Sequence, residues 1–319
     1  MAVACSSDAT SPSASGGAGG SNGGSSGSPA TGGANAGDPN AIVGTFIVEL
    51  EAATATDAAY TAVSGKVYDG ATPATVVWDS LGSGAGCELQ KQHAPFCSTA
   101  CVSGTVCIDG DVCAPYPTAQ DLGPVLVKGL GTSDITMKAI ANSYQLPGDV
   151  TLPYPPASEG AAFSVNVAGG AFGAFSVQSK MVVPLLASGT LTLESDKPLQ
   201  LSWQAPGDPS LSRMQIKVDI AHHGGGTGKI ECDVADTGSL EIPAALVTGL
   251  IDLGVAGFPT VTLSRIATGS TAIAPGKVTL QALSSVPLEL VVPGVQSCHE
   301  DAECPAGKAC RKEDLTCER

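Results

Sequence analysis

The chemistry this chain could do starts from its eleven cysteines, at positions 5, 87, 97, 101, 107, 113, 232, 298, 304, 310 and 317. Cysteines at such density either hold a metal or pair with each other. Zinc is disfavoured by the intervals. No C-x2-C pair exists, and both clusters use C-x3-C or C-x5-C spacing. Setting Cys5 aside leaves ten, an even number, as expected for disulfides in an oxidising compartment. The residues therefore point to cross-linking, with no metal and no cofactor.

Other side chains that could carry chemistry have plainer readings. His223-Gly224-Gly225-Gly226 matches the oxyanion-hole string of some lipases, but that string needs a serine on a strand-to-helix elbow, and the folded region offers none. The two G-x-S-x-G strings, Gly19–Gly23 and Gly23–Gly27, fall in low-complexity sequence. His222 and His223 with Asp219 or Glu231 could bind metal, yet adjacent strand residues face opposite ways. Asp109-Gly110-Asp111 and the group Glu300, Asp301 and Glu303 could hold calcium, but they read as solvated turns. Paired carboxylates for glycoside hydrolysis would normally sit among stacking aromatics, and aromatics are only 4% of the chain. Tyr144 and Tyr154 are the one local aromatic pair for a glycan. No catalytic residue is assigned.

The elements that must position these residues are strands. Residues 6–40 are a Gly/Ser-rich linker that cannot offset the entropy of ordering. Beyond it, Phe46, Val48 and Leu50 alternate with Thr45, Ile47 and Glu49, and Gly or Pro punctuates the chain every 8–12 residues. Strands are expected at 124–130, 134–140, 163–169, 172–181, 190–195, 199–205, 213–222, 228–236, 260–267, 277–283 and 286–292. One helix is expected after Pro243, with Leu246, Val247, Leu250 and Ile251 on a face. The fold class is all-β: an antiparallel β-sandwich with one short helix and two small disulfide-rich knots. The body spans 41–296 with a Cys-rich insertion at 87–117, and 297–319 is a terminal knot. A net charge of −15 without Lys/Arg clusters excludes nucleic acid as a partner.

The two clusters repeat each other. Cys97-x3-Cys101-x2-Gly104-x2-Cys107-x5-Cys113 aligns with Cys298-x5-Cys304-x2-Gly307-x2-Cys310-x6-Cys317. Four cysteines allow three pairings. The one that interlocks adjacent loops joins first to third and second to fourth: Cys97–Cys107, Cys101–Cys113, Cys298–Cys310 and Cys304–Cys317. Cys87 and Cys232 remain for each other. In the hairpin 213–236, Met214, Ile216, Val218 and Ile220 share a face, and Ile230, Cys232 and Val234 return on the same side. Cys232 then points into the core, and an inter-sheet Cys87–Cys232 bridge is expected, with Trp203 packed near it by analogy with immunoglobulin domains.

The tail Cys298-His299-Glu300-Asp301-Ala302-Glu303-Cys304-Pro305-Ala306-Gly307-Lys308-Ala309-Cys310 resembles the C-x2-D-x2-C-P-x-G-x2-C repeats of myxobacterial surface lipoproteins, and is similar to Dickkopf N-terminal cysteine-rich knots. Residues 65–70 and 232–243 resemble the same bacterial group. So does the start, Met1-Ala2-Val3-Ala4-Cys5-Ser6-Ser7, where small residues lead to a cysteine and then a flexible stalk. The resemblance implies that residues 1–5 are the remnant of a signal and lipobox, with Cys5 carrying the acyl chains. Ser6 after the cysteine implies sorting to the outer membrane. The expected partner is then a membrane, through the anchor, with a protein or glycan ligand at the surface. The expected function is a non-enzymatic, lipid-anchored envelope protein that presents a recognition or structural surface. The alternatives are a secreted hydrolase with a spatially assembled acid/base site, and a protease-inhibitor-like role for the knots.

Overall fold

A computed structural model of the protein describes residues 38–54, 56–221 and 228–318. Cys5, the linker up to residue 37 and the His222–Thr227 loop lie outside the described residues.

The first strands are β1 (Ile42–Glu51), β2 (Tyr60–Val67), β3 (Val77–Gly84) and β4 (Cys87–His93). The first knot contributes β5 (Thr105–Ile108) and β6 (Val112–Pro115). Then come β7 (Val125–Lys128), β8 (Ile135–Met137), β9 (Ser143–Gln145), β10 (Ala162–Val167) and β11 (Phe175–Lys180). They are followed by β12 (Leu191–Thr192), β13 (Leu199–Ser202), β14 (Arg213–Asp219), β15 (Gly228–Ala235) and β16 (Ser239–Ile242). Helix α1 (Ala244–Asp252) precedes β17 (Thr260–Ile273) and β18 (Gly276–Val291), and the second knot ends the chain with β19 (Cys310–Arg311) and β20 (Thr316–Cys317). No helix among the described residues is long and apolar enough to cross a membrane.

The protein is all-β with one short helix and two disulfide-rich knots. A ten-stranded sheet runs β3-β4-β15-β14-β17-β18-β1-β2-β9, with β12 also on β18. Its inner face carries two covers. A four-stranded sheet, β11-β10-β7-β8, lies over one end. There Phe46, Val48, Val278 and Leu280 of the large sheet share a core with Val127, Phe163, Val165 and Val177 of the small one. Over the other end sit the β13/β16 ribbon and α1. Leu199, Leu201, Leu246 and Leu250 pack there on Ile216, Val218, Ile230 and Leu263. Alternation explains this layering: in β17 the buried residues are Val261, Leu263, Arg265 and Ala267, every second position.

The pairing is antiparallel except at two places. β1 and β12 both lie parallel to β18. β1 and β18 are the first and last long strands of the body, so no hairpin turn dictates their direction, and the intervening chain serves as the crossover that a parallel pair needs. The strands expected at 277–283 and 286–292 are one strand, β18, and β17 runs six residues past its expected end. The apparent break came from Ser284, a polar residue on an inner position. It stands directly opposite Arg265.

Two glycines permit close approaches. Gly65 faces Phe46 across β1 and β2, and a Cβ there would lie 2.0 Å from the Phe46 ring. Gly269 lets β11 cross β17, where a Cβ would meet the Gln178 carbonyl at 1.6 Å.

Candidate recognition surface

The disulfides set the geometry of both knots. The bonds are Cys97–Cys107, Cys101–Cys113, Cys298–Cys310 and Cys304–Cys317. The sulfurs of Cys97, Cys101 and Cys113 lie within 4.8 Å of one another, as do those of Cys298, Cys304 and Cys317. Each is consumed in a disulfide, so none offers a metal the thiolate it needs.

Cys87 and Cys232 are bonded, but the bridge is not between sheets. They face each other across β4 and β15 of one sheet, Cα to Cα 3.9 Å. Periodicity gives the face of each cysteine without saying which strands are neighbours, and these two strands are. Because β4 belongs to the main sheet, the inserted module begins after His93 rather than at Cys87. Trp203 shares the core of this bridge, and its indole N–H donates to Asp236 Oδ1 at 2.7 Å.

The two knots, alike in pattern, sit differently. The second is docked. Gly257 N–H donates to Asp314 O at 2.6 Å, Ser297 Oγ donates to Gly257 O at 2.6 Å, and His299 stacks on Phe258 with centroids 4.3 Å apart. Leu315, its one large aliphatic side chain, is half-buried.

The first knot projects. It leaves the sheet after His93, whose Nδ1 pairs with Asp79 at 2.6 Å, and returns at 118–120. There Asp69 accepts from the Thr118 N–H at 2.7 Å and donates its own N–H to Thr118 O at 3.1 Å. Between these clamps the hydrogen bonds are internal: Ser98 N and Oγ to Asp111, Thr105 Oγ1 to Val102 O, and Tyr116 N to Gly104 O. Ten large apolar side chains are exposed among the described residues, and four belong to this module: Phe96 (84%), Val102 (72%), Tyr116 (52%) and Val112 (49%). Residues 94–117 contain no Lys or Arg. Sequence reasoning treated the two knots as equivalents. The signal that separates them was composition, since the first is Val-, Ile- and aromatic-bearing and the second is charged.

The other proposed site residues do not converge. Tyr144 is fully buried and cannot stack a sugar; its hydroxyl accepts from Leu122 N–H at 2.7 Å. Burial, with Asp121 nearby, pushes its phenol up to about 12. Tyr154 is half-buried against the core. Asp219 pairs with Lys217 at 2.8 Å, and Glu231 with Lys229 at 2.5 Å. Asp109 Oδ1 accepts from the Gly110 N–H at 3.0 Å, as a turn residue does. Asp301 Oδ1 accepts from the Cys310 N–H at 2.8 Å, and Glu303 Oε2 from the His299 N–H at 2.6 Å, so both carboxylates hold the knot together.

A groove of about 510 Å³ opens between Phe258–Thr260, Pro287–Val292 and Val295–Ser297. Its one carboxylate, Glu289, accepts from Thr190 at 3.2 Å. Glu49 is raised above the usual carboxylate range by burial and by Glu51, but both stand on the outer face of β1, away from this groove.

No protein-family model matches the chain, and no curated protein does. Among solved structures it is similar to the FN1-FN3 domains of chicken CNTN1. The identity is 9% over 70% of this chain and 78% of that one, with a TM-score of 0.19.

Proposed function

We propose that this is a non-enzymatic envelope protein that holds a recognition module away from the surface. Cys5 carries the lipid anchor, the Gly/Ser tract is the stalk, the β-body is the scaffold, and the first knot meets a protein partner. The observation that carries this reading is the exposure of Phe96, Val102, Val112 and Tyr116 on one small cross-linked module. Aromatic side chains on a rigid support are the usual anchors of protein interfaces, because little ordering entropy opposes their docking. The groove at Phe258 lacks the paired acid and base that a hydrolase would bring together.

Two measurements test this. The intact mass of protein extracted from membranes should exceed the sequence mass by acyl chains on Cys5, and an unmodified mass rules the anchor out. A photo-reactive residue in place of Val102 should give a discrete protein adduct in native cells, while one in place of Thr268 should not. Illumination without an adduct at position 102 rules out the recognition role.

A further inference from the structure

The four residues that lead into the first knot, Ala94-Pro95-Phe96-Cys97, form no regular structure, yet both ends are fixed. Upstream, the chain leaves β4 at His93, a strand bonded to β15 through Cys87–Cys232. Downstream, Cys97 is bonded to Cys107, and Ser98 is held by Asp111 through its N–H at 2.8 Å and its hydroxyl at 2.7 Å. Pro95 restricts its own φ. Between the anchors Phe96 stands 84% exposed, the most exposed large apolar side chain among the described residues.

Resting on the recognition reading, the geometry points to a partner class: a serine protease whose specificity pocket takes an aromatic side chain, with Phe96 as the inserted residue. The arrangement makes the loop an inhibitor rather than a substrate. The protease serine oxygen adds to the Phe96 carbonyl carbon, and its proton passes through the protease base to the Cys97 nitrogen. The Phe96–Cys97 bond breaks and an ester to Phe96 forms. In an ordinary substrate the new amine diffuses away and water takes its place. Here the Cys97 amine stays in position, tied by its own disulfide and by the Ser98–Asp111 hydrogen bonds. The acyl side is tied three residues away to a sheet strand. Held at high effective concentration, the amine attacks the ester and restores the peptide bond.

Chymotrypsin is a direct probe, assayed against the whole chain with disulfides intact. Inhibition is expected, with slow release of cleaved chain. Because Phe96 is exposed, its replacement leaves the core untouched. Phe96→Ala should raise the inhibition constant by about a hundredfold, the scale of a lost central anchor. Phe96→Lys should transfer inhibition to trypsin. Ser98→Ala with Asp111→Asn loosens the downstream tie and should speed net cleavage at 96–97. The inference is overturned if chymotrypsin turns the chain over as a simple substrate at Phe96, or if inhibition is absent or survives Phe96→Ala. Either result alongside an adduct at Val102 defeats the inhibitor inference alone; absence of adduct and inhibition together defeats both.

Discussion

Replacing Asp236 by alanine should be among the most damaging single changes to the body, and the reason lies at the seam between its two cores. Arg265 is fully buried on the inner face of β17, between the two covers. Its Nε donates to Asp236 Oδ2 at 2.6 Å and its NH2 to Asp236 Oδ1 at 3.1 Å. Its remaining donors reach Gln204 O at 2.6 Å and Val183 O and Pro184 O at 3.3 Å. Asp236 also accepts from Trp203 Nε1 and Ser212 Oγ, each at 2.7 Å. Asp236→Ala therefore strands a buried cation and orphans two further donors. Removing one member of a buried pair costs about 3–5 kcal/mol. At about 2–4 °C per kcal/mol for a domain of this size, the melting temperature should fall by about 6–20 °C. Replacing both charges, Asp236→Leu with Arg265→Met, removes the stranded charge and should recover much of the loss, read by calorimetry against the single variant. Burial alone would raise the Asp236 carboxyl, but hydrogen bonds from Arg265, Ser212 and Trp203 outweigh it and hold it below the usual carboxylate range. Its stabilisation is thus full above the unfolded-state value of about 3.9 and lost as pH falls through the lower folded value. That part of the acid-unfolding curve should vanish in Asp236→Ala. A melting shift under 2 °C, or a double variant no more stable than the single, would refute the account.

Three more predictions follow from the packing. Tyr144→Phe leaves the buried Leu122 N–H unpaired and should cost about 1–3 kcal/mol in urea titrations. Because the Tyr144 phenol titrates near 12 when folded and near 10 when unfolded, the native chain should lose stability as pH rises from about 10 towards 12. The Phe variant should show a flatter alkaline limb, and an unchanged limb would count against the buried hydroxyl. Gly65→Ala forces a methyl into the buried Phe46 ring and should destabilise by about 1–3 kcal/mol, read by thermal melts. Cys87→Ala with Cys232→Ala opens a loop of 145-residue separation, worth up to about 5 kcal/mol by chain entropy. This double variant should still form the first knot, checked by mass mapping of its bridges Cys97–Cys107 and Cys101–Cys113.

The fold class was legible because strand alternation is a local signal. Phe46, Val48 and Leu50 show which way β1 faces before its partners are known. The ordering of strands was not legible, and the Cys87–Cys232 bridge shows why: two residues can both face inward and be either across a core or side by side. The seam was missed for a related reason. Ser284, at an inner position of β18, reads as the end of an element, and Arg265, inside the expected strand 260–267, gives by alternation alone no hint of what its charge meets. A charged residue in register with Val261, Leu263 and Ala267 is instead a sign that other buried polar groups converge on it. The contrast between the knots was available in composition but masked by their shared cysteine spacing.

The same seam bears on how the first knot can act. A core with few aromatics buries less apolar area per residue, so a wide sheet of this kind has less to hold its two ends in one body. The buried Arg265 network ties the covers to the sheet at the point where the two cores meet, and Cys87–Cys232 staples β4, the strand that feeds the knot, to β15. Asp69, next to the end of β2, clamps the chain where it returns. The knot has no core of its own beyond Ile108 and its two bridges, so its rigidity toward a partner is inherited from these ties. Loosening the body should therefore weaken recognition by the knot even with every exposed residue of the knot intact.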